Sequence, residues 1–182
     1  MTSTAHHPLT IEHALLGFLA GRPMHGYDIY RQIRRPGGLG VVWRIKRSQL
    51  YALLAKLEAL GYISASYEQQ VGRPGRRVFH LSEAGRAAFA DWLTSPVDRP
   101  RDLRVDFLAR LYFARLESSE LAFQLVQRQR ARCLQWLSEH TARLEACSAD
   151  NSFERAVWQF RVRQIEAILD WLDACSLAPA AA

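Results

Sequence analysis

The sequence lacks the features that place a chain in a membrane or outside the cell. No apolar run approaches the ~20 residues that a helix needs to cross a bilayer, and residues 1–8 do not form a charged and then apolar secretory signal. The few cysteines, Cys133, Cys147 and Cys175, form no C-x-x-C pair. This favours reduced core residues and leaves open whether any of them senses oxidation. We therefore expect a cytoplasmic protein.

Motifs for metal binding and catalysis are also missing. The six histidines show no H-E-x-x-H or other metal-ligand spacing, so we expect His25 and His80 to be structural or solvent-facing. The sequence contains no phosphate-binding loop, no nucleophile elbow and no paired carboxylates at a recognisable catalytic spacing. It therefore predicts no bound metal, no cofactor and no enzymatic activity.

Positive charge is concentrated in the first half of the 182-residue chain. Residues 1–95 contain 12 Lys and Arg against 6 Asp and Glu, whereas residues 96–182 contain 12 of each class. The net charge of +6 therefore comes entirely from the first half. A basic half beside a neutral half suggests a polyanion-binding domain joined to a region with another partner, although +6 alone is common among proteins that bind nothing acidic.

The clearest helical pattern lies between Lys46 and Gly61. Five leucines at intervals of three and four residues share one helix face there: Leu50, Leu53, Leu54, Leu57 and Leu60. Ser48 is predicted to cap the first turn, and Gly61 to end the helix in the left-handed conformation. The start and the opposite face carry Lys46, Arg47, Gln49, Tyr51 and Lys56. Such a face is either a solvated surface or, beside the anion-attracting N-terminus of the helix, a phosphate-binding one.

Two helices are predicted before this one. Thr10 can cap the first, whose apolar members are Ile11, Ala14, Leu15, Phe18 and Leu19. The second extends from His25-Gly26-Tyr27 to Pro36-Gly37-Gly38. Its apolar members are Tyr27, Ile29, Tyr30 and Ile33, and its outer face carries Arg31, Arg34 and Arg35.

After Gly61 the pattern changes from helical to alternating. Residues 63–68 and 77–81 alternate between apolar and polar side chains and are predicted to form a hairpin. The residues between them, 70–76, are predicted to be a turn-rich, basic tip. Ser82 is predicted to cap a fourth helix.

Three helices followed by a hairpin are typical of a winged helix-turn-helix domain. In that arrangement the third helix enters the major groove of DNA, and the hairpin meets phosphate or the minor groove. The expected DNA contacts are Lys46, Arg47, Ser48, Gln49, Tyr51 and Lys56 on the third helix, with Arg73, Arg76 and Arg77 in the hairpin. The helix is expected to reach base edges, and the hairpin to add affinity more than specificity. Alone, the basic hairpin would fit a solvated turn equally well.

Residues 9–94 also resemble the PadR type of transcriptional regulator. The matching residues are Leu15-Leu16-Gly17-Phe18-Leu19, His25-Gly26-Tyr27, Leu50-Tyr51, Leu53, Leu57-Glu58, Gly61, Ile63, Gly72-Arg73-Pro74, Arg76-Arg77 and Leu81-Ser82-Glu83-Ala84-Gly85. Family members usually have proline at the position of Ala52 and serine or threonine at that of Gln49. These departures bear on sequence preference and not on the fold. The resemblance implies a repressor with a C-terminal helical dimerisation region and flat hydrophobic effectors such as phenolic compounds.

Beyond a proline-bearing hinge at 96–100 the chain is predicted to be helical. Apolar residues mark three helices between residues 103 and 112, 121 and 144, and 153 and 172. The apolar face of the last is wider than one neighbouring helix covers, which indicates a partner chain, with burial inside a single subunit as the alternative. The predicted architecture is mainly α: a winged helix-turn-helix domain at 9–95 and a C-terminal helical dimerisation and effector domain at 101–176.

These features predict a homodimeric transcriptional regulator, a repressor by resemblance, that binds a pseudo-palindromic operator in double-stranded DNA. Trp92, Trp136, Trp158 and Trp171 are the expected lining of a pocket for a small aromatic effector, although aromatic residues at helical spacing are more often plain core. A second hypothesis is a winged-helix adaptor that binds a protein partner and does not read DNA.

Overall fold

The computed structural model describes residues 10–70, 73–148 and 150–177. The protein is mainly helical, with a winged helix-turn-helix arrangement followed by further helices, as the sequence predicts. The first part contains α1 Thr10–Ala20, β1 Met24–His25, α2 Gly26–Arg34, a 3₁₀ helix Leu39–Val41, α3 Arg47–Ala59, β2 Ile63–Gln70, β3 Arg73–Leu81 and α4 Glu83–Thr94. The second part contains a 3₁₀ helix Pro100–Arg104, α5 Asp106–Glu117, α6 Ser119–Glu145 and α7 Ser152–Leu177.

These elements form two compact units. Unit 1 comprises the described residues up to Thr94 together with Arg104–Phe113, and unit 2 comprises Ser95–Leu103 together with the described residues from Ala114 onward. The sequence predicts a single boundary near residues 96–100, whereas the structure assigns the first part of α5 to unit 1. Aromatic packing explains this, because the Phe113 ring lies edge-on to the rings of Phe18 and Phe89, with centroids 5.1 and 5.6 Å away.

The core of unit 1 combines buried side chains of α1, α2, α3, α4 and the first part of α5. Leu50, Leu54 and Leu57 of α3 are fully buried, so the predicted leucine stripe faces the core. Burial of each leucine side chain is worth roughly 1.5–3 kcal/mol, and this holds α3 in place with its other face outward. Leu60, the last member of the stripe, is exposed because α3 ends at Ala59.

A small antiparallel sheet in the strand order β1-β3-β2 completes unit 1. β2 and β3 pair from Ile63 and Leu81 at one end to Gln70 and Arg73 at the other. The sequence analysis missed β1, whose two residues pair with Val78 and Phe79 of β3. Two residues are too few for an alternating pattern, so only the long-range pairing reveals this strand.

The hairpin is longer than the sequence predicts. Arg73 and Arg76 belong to β3 and not to a turn, and residues 71–72 of the predicted tip lie outside the described residues. Glycine and proline suggested a turn. Pro74 nevertheless fits β3, because β1 pairs only with Val78 and Phe79 and leaves the beginning of β3 paired on one side.

The junction between α3, β2 and α4 confirms two local predictions. Gly61 has a φ of +75°, the left-handed conformation expected after the end of α3. Ser82 Oγ accepts a hydrogen bond from the Gly85 N–H at 3.0 Å, as expected of the cap of α4. The same hydroxyl donates to the carbonyl oxygens of Gly61 and Tyr62, which lie 2.7 and 2.9 Å away. Ser82 therefore ties the start of α4 to the end of α3.

Unit 2 is dominated by α6 and α7, which pack as an antiparallel pair. Arg130 in the first half of α6 donates a hydrogen bond to Asp173 near the end of α7 at 2.6 Å. His140 in the second half of α6 packs on Trp158 near the start of α7, with ring centroids 5.5 Å apart. The 27 residues of α6 span about 40 Å.

Unit 2 also contains the three free cysteines. Cys133 is fully buried, and this burial raises the pKa of its thiol. A thiol in that state is a poor nucleophile, and the burial of Cys133 agrees with the expected core residue. Within the described ranges, no helix is long and apolar enough to cross a membrane, and no group of three His, Cys, Asp or Glu side chains is placed to hold a metal ion.

Candidate nucleic-acid interface

The first turn of α3 presents a row of exposed polar side chains. Lys46 and not the predicted Ser48 occupies the N-cap position, because the helix begins at Arg47. Gln49 closes this end of the helix, since its Oε1 accepts a hydrogen bond from the Lys46 backbone N–H at 3.0 Å. Lys46, Arg47, Ser48 and Gln49 are all exposed, so the basic turn lies on the surface as predicted.

Arg47 is held by two tyrosines of α2. Its guanidinium carbon lies 5.2 Å from the ring centroid of Tyr27 and 5.7 Å from that of Tyr30. Tyr30 is itself fixed, because its hydroxyl accepts a hydrogen bond from Arg34 at 2.6 Å. Contacts of this kind are worth about 0.5–1 kcal/mol at an exposed site, enough to favour one arrangement of a long side chain. α2 therefore positions the arginine that begins α3.

The residues of the His25-Gly26-Tyr27 motif each support this surface. His25 Nδ1 lies 3.0 Å from the backbone oxygen of Arg77, which joins the start of α2 to β3. A methyl group on Gly26 would lie 2.8 Å from Cε1 of Tyr51, so glycine at this position lets the Tyr51 ring of α3 pack against α2. Tyr27 contacts Arg47. The motif thus sets the relative position of α2, α3 and the sheet.

The wing contributes Arg76 and Arg77 in different ways. Arg77 donates a 2.5 Å hydrogen bond to Glu58 of α3, and this bond raises the pKa of the Arg77 guanidinium. Its guanidinium carbon also lies 5.1 Å from the ring centroid of Phe79. Arg77 therefore joins the wing to α3, whereas the Arg76 side chain is exposed. Arg73 lies in β3, and its side chain is outside the described part of the structure.

Lys56 faces the interior of unit 1. Its Nζ lies 2.6 Å from Oε1 of Glu12, which is completely buried on α1. The ion pair links α1 to α3 and holds the ammonium in a half-buried position. This geometry favours a role in packing over the expected DNA contact. We therefore leave Lys56 out of the contacts proposed below.

The sequence analysis missed the partners of these basic residues. Glu12 lies on the same helical face as Leu15, Leu16 and Leu19, which are all buried. A carboxylate in register with an apolar stripe is a signal for a buried ion pair, since such a charge needs a partner. Tyr27 and Tyr30 were expected as apolar members of α2. The spacing of apolar residues along the chain does not predict that their rings contact Arg47.

The four tryptophans of the expected effector pocket are not gathered in one unit. Trp92 belongs to unit 1, and the other three belong to unit 2. Trp92 is buried and donates a hydrogen bond from Nε1 to Asp106 at 3.1 Å, while its ring stacks on His13 with centroids 5.7 Å apart. Trp136 is buried, Trp158 lies 4.5 Å from the Arg161 guanidinium carbon, and Trp171 is partly exposed. Neither unit assembles the four rings into one pocket.

A known protein family matches the region of the chain that contains this surface. Residues 15–91 match the model of the transcriptional regulator PadR-like family. Over 126 residues the chain is 29% identical to the negative transcriptional regulator PadR of Bacillus subtilis, covering 67% of this chain and 68% of that protein. It is 30% identical over 93 residues to the probable transcriptional regulator Rv1176c of Mycobacterium tuberculosis. That match covers 51% of this chain and 48%, about half, of the relative.

Solved structures of Bacillus subtilis PadR also align with the chain. The structure of that protein in complex with operator DNA is 23% identical, with a TM-score of 0.48, and the alignment covers 93% of this chain and 97% of that one. Its structure in complex with p-coumaric acid is 22% identical, with a TM-score of 0.41. That alignment covers 92% of this chain and 93% of the Bacillus chain. Both ligands are those of the Bacillus protein.

Proposed function

Since residues 15–91 match the PadR-like family of transcriptional regulators, we propose that the chain is a member that binds operator DNA as a homodimer and represses transcription. The observation that carries this proposal is the exposed first turn of α3, where Lys46 and Arg47 lie on the outer face of a helix whose other face is buried. A helix presented in this way fits the major groove, and the first turn reaches the base edges. A regulator of this kind acts in the cytoplasm and needs no enzymatic activity.

Two classes of contact are proposed. Arg47, already oriented by Tyr27 and Tyr30, is suited to a bidentate contact with guanine. Ser48, Gln49 and Tyr51 are its exposed neighbours and complete the proposed base-reading surface. Lys46, with Arg76 on the wing, supplies phosphate contacts, and Arg73 is retained from the sequence analysis as a third.

The test is the replacement of both Lys46 and Arg47 by alanine. We expect binding to the protein's own promoter region to weaken on the order of 100-fold, because one base contact and at least one phosphate contact are lost. Fluorescence anisotropy with a labelled duplex and a scrambled duplex measures this. The matched control is Arg22→Ala with Arg86→Ala, which removes the same charge from exposed positions of unit 1 outside α3 and the wing.

A preference for the promoter duplex that survives in the Lys46 and Arg47 variant would refute reading by α3. A single Arg47→Lys variant refines the result. It keeps the charge and is expected to retain the salt dependence, but to lose discrimination between duplexes, because lysine cannot form the bidentate contact. Binding that does not weaken as salt rises would favour the alternative, a winged-helix adaptor for a protein partner.

The homodimer is proposed from unit 2. Phe153 and Phe160 of α7 are 79% and 66% exposed and, seven residues apart, lie on one side of the helix. The buried residues of α7 occupy another side, where α7 packs against α6: Val162, Ile165, Leu169 and Leu172. Phe123 and Leu134 of α6 are also exposed and share one face. Exposed apolar faces of this kind mark protein interfaces, and a second copy would provide the twofold symmetry that a pseudo-palindromic operator requires.

Replacement of Phe153 and Phe160 by glutamate should dissociate this dimer. We expect the mass in solution to fall from twice the chain mass of 20.8 kDa to the chain mass, because charge replaces apolar area at the contact. Light scattering after size exclusion measures the mass, and circular dichroism checks the fold. Gln159→Glu, an exposed position on a different side of α7, is the control. A double variant that stays dimeric would place the interface elsewhere.

An effector is the least constrained part of the proposal. The relative from Bacillus subtilis has been solved with p-coumaric acid, a small aromatic acid. A small aromatic effector that relieves operator binding stays a prediction for this chain. It would have to bind the DNA-competent and the incompetent dimer with different affinities, since equal affinity shifts neither state.

A further inference from the structure

A cavity of about 670 Å³ lies in unit 1 between the end of α2 and the segment that leads into α3. Its volume is within the range of small-molecule sites. Three of its lining residues are arginines, Arg34, Arg35 and Arg44, and Trp43 supplies an aromatic wall. Among the described residues, no acidic one lines it. The cavity is thus a positively charged site with one flat apolar surface.

The arginines of this cavity are not neutralised by neighbouring carboxylates. Arg77, Arg110, Arg130 and Arg163 each form an ion pair with an acidic side chain. In contrast, Arg35 and Arg44 are exposed and form no ion pair with any carboxylate of the described residues. Arg34 donates one hydrogen bond to the Tyr30 hydroxyl, which uses only one of its five N–H groups. Three arginines therefore line one cavity, and none of them forms an ion pair with a carboxylate of the described residues.

The backbone around the cavity is held in place without a ligand. A methyl group on Gly40 would lie 2.7 Å from the backbone oxygen of Ile33, so the connecting segment packs directly on the end of α2. Leu39 is fully buried, and its carbonyl oxygen accepts hydrogen bonds from Val42 at 3.0 Å and Trp43 at 2.9 Å. These contacts fix the 3₁₀ helix and the Trp43 backbone. The arginines are thus carried by an ordered frame, which lowers the entropic cost of binding.

We propose that this cavity binds an organic phosphate that carries a flat ring. A phosphate dianion matches the planar, multidentate donors of arginine, and a ring can stack on the Trp43 indole. Arg44 lies two residues before Lys46, the N-cap of α3. A ligand on Arg44 therefore acts directly on the segment that places the first turn of α3, which gives a small phosphate a route to influence that surface.

The first experiment uses the DNA-free protein and phenyl phosphate as the probe, followed by tryptophan fluorescence and calorimetry. We expect saturable binding that weakens at least about tenfold in a variant with Arg35→Gln and Arg44→Gln, because charge-assisted hydrogen bonds are lost. Arg22→Gln with Arg86→Gln removes the same charge outside the cavity and is the control. Inorganic phosphate should bind more weakly than phenyl phosphate, and benzyl alcohol should not bind. Thermal melts verify that each variant is folded.

No binding of phenyl phosphate, or equal binding by the cavity variant, overturns the proposal. A second measurement then tests whether these arginines bind the phosphate groups of the DNA backbone and not a small organic phosphate. If the arginines contact DNA, the slope of log affinity against log salt on a duplex becomes shallower by about 0.9 for each arginine lost. The probe experiment contains no DNA, so its outcome is independent of whether the protein is a DNA-binding regulator.

Discussion

Replacing Lys56 with methionine is expected to lower the free energy of unfolding by about 3–5 kcal/mol. Glu12 is completely buried, and its Oε1 lies 2.6 Å from Lys56 Nζ. Its other oxygen, Oε2, has no hydrogen-bond partner among the described atoms. Methionine retains an unbranched apolar side chain, so the substitution chiefly removes the charge and leaves a buried carboxylate uncompensated. Denaturant unfolding followed by circular dichroism measures the loss.

Two further variants separate this effect from general damage. Glu12→Gln in the Lys56→Met background removes the isolated charge and is expected to recover about half of the lost stability or more. Arg163→Met breaks an ion pair in which the arginine side chain is 83% exposed, and it should change stability by less than about 0.5 kcal/mol. If Lys56→Met lowers the free energy of unfolding no more than Arg163→Met does, the Glu12 charge is not buried in solution.

Gly85→Ala is expected to destabilise unit 1 by about 3 kcal/mol, at the upper end of overpacking effects. An added methyl group would lie 2.0 Å from the Tyr62 carbonyl oxygen and 2.8 Å from Leu81 Cδ1. The oxygen cannot easily move away, since it accepts hydrogen bonds from the Ser82 N–H at 3.1 Å and the Ser82 hydroxyl at 2.9 Å. Relief of the clash would therefore displace α4 from the junction. Thermal and denaturant unfolding should both show the loss.

Gly21→Ala is the matched control for this substitution. An added methyl group on Gly21 meets nothing within 4 Å, and its backbone is not in the left-handed region. Its effect should stay within about 0.5 kcal/mol, as for most surface substitutions. Equal effects of the two variants would mean that the α3, β2 and α4 junction relaxes at little cost.

Local features of the candidate surface were readable in the sequence. The leucine spacing predicted that α3 buries one face and exposes Lys46 and Arg47, and the glycine at position 61 and the serine at position 82 predicted its end and the next cap. These features act over at most a few helical turns, so the residues that cause them are neighbours in the sequence. The N-cap was misplaced by two residues, because the helix begins at Arg47 and its first turn is closed by Gln49, which accepts a hydrogen bond from the Lys46 backbone N–H.

Contacts between distant residues were not readable in this way. Lys56 and Glu12 are 44 positions apart, and Arg77 and Glu58 are 19 apart, so neither pair leaves a periodic trace. The same holds for β1, which exists only through its pairing with β3, and for the first part of α5, which joins unit 1 through Phe113. The division of the four tryptophans between the two units was not readable either, because helical spacing does not say which unit a ring will join.

By itself, the sequence determined the order and type of the long elements and the exposed, basic start of α3, because burial of an apolar face imposes a period on the residues that form it. Only the tertiary structure decided which basic side chains stay available for a ligand. Lys56 and Arg77 form ion pairs, Arg47 stacks on two tyrosines, and Arg35 and Arg44 line a cavity without an ion pair to any carboxylate of the described residues. The sequence shows that a residue is charged but not whether its side chain is solvated or forms an ion pair. The packing of the elements determines which partner lies within reach.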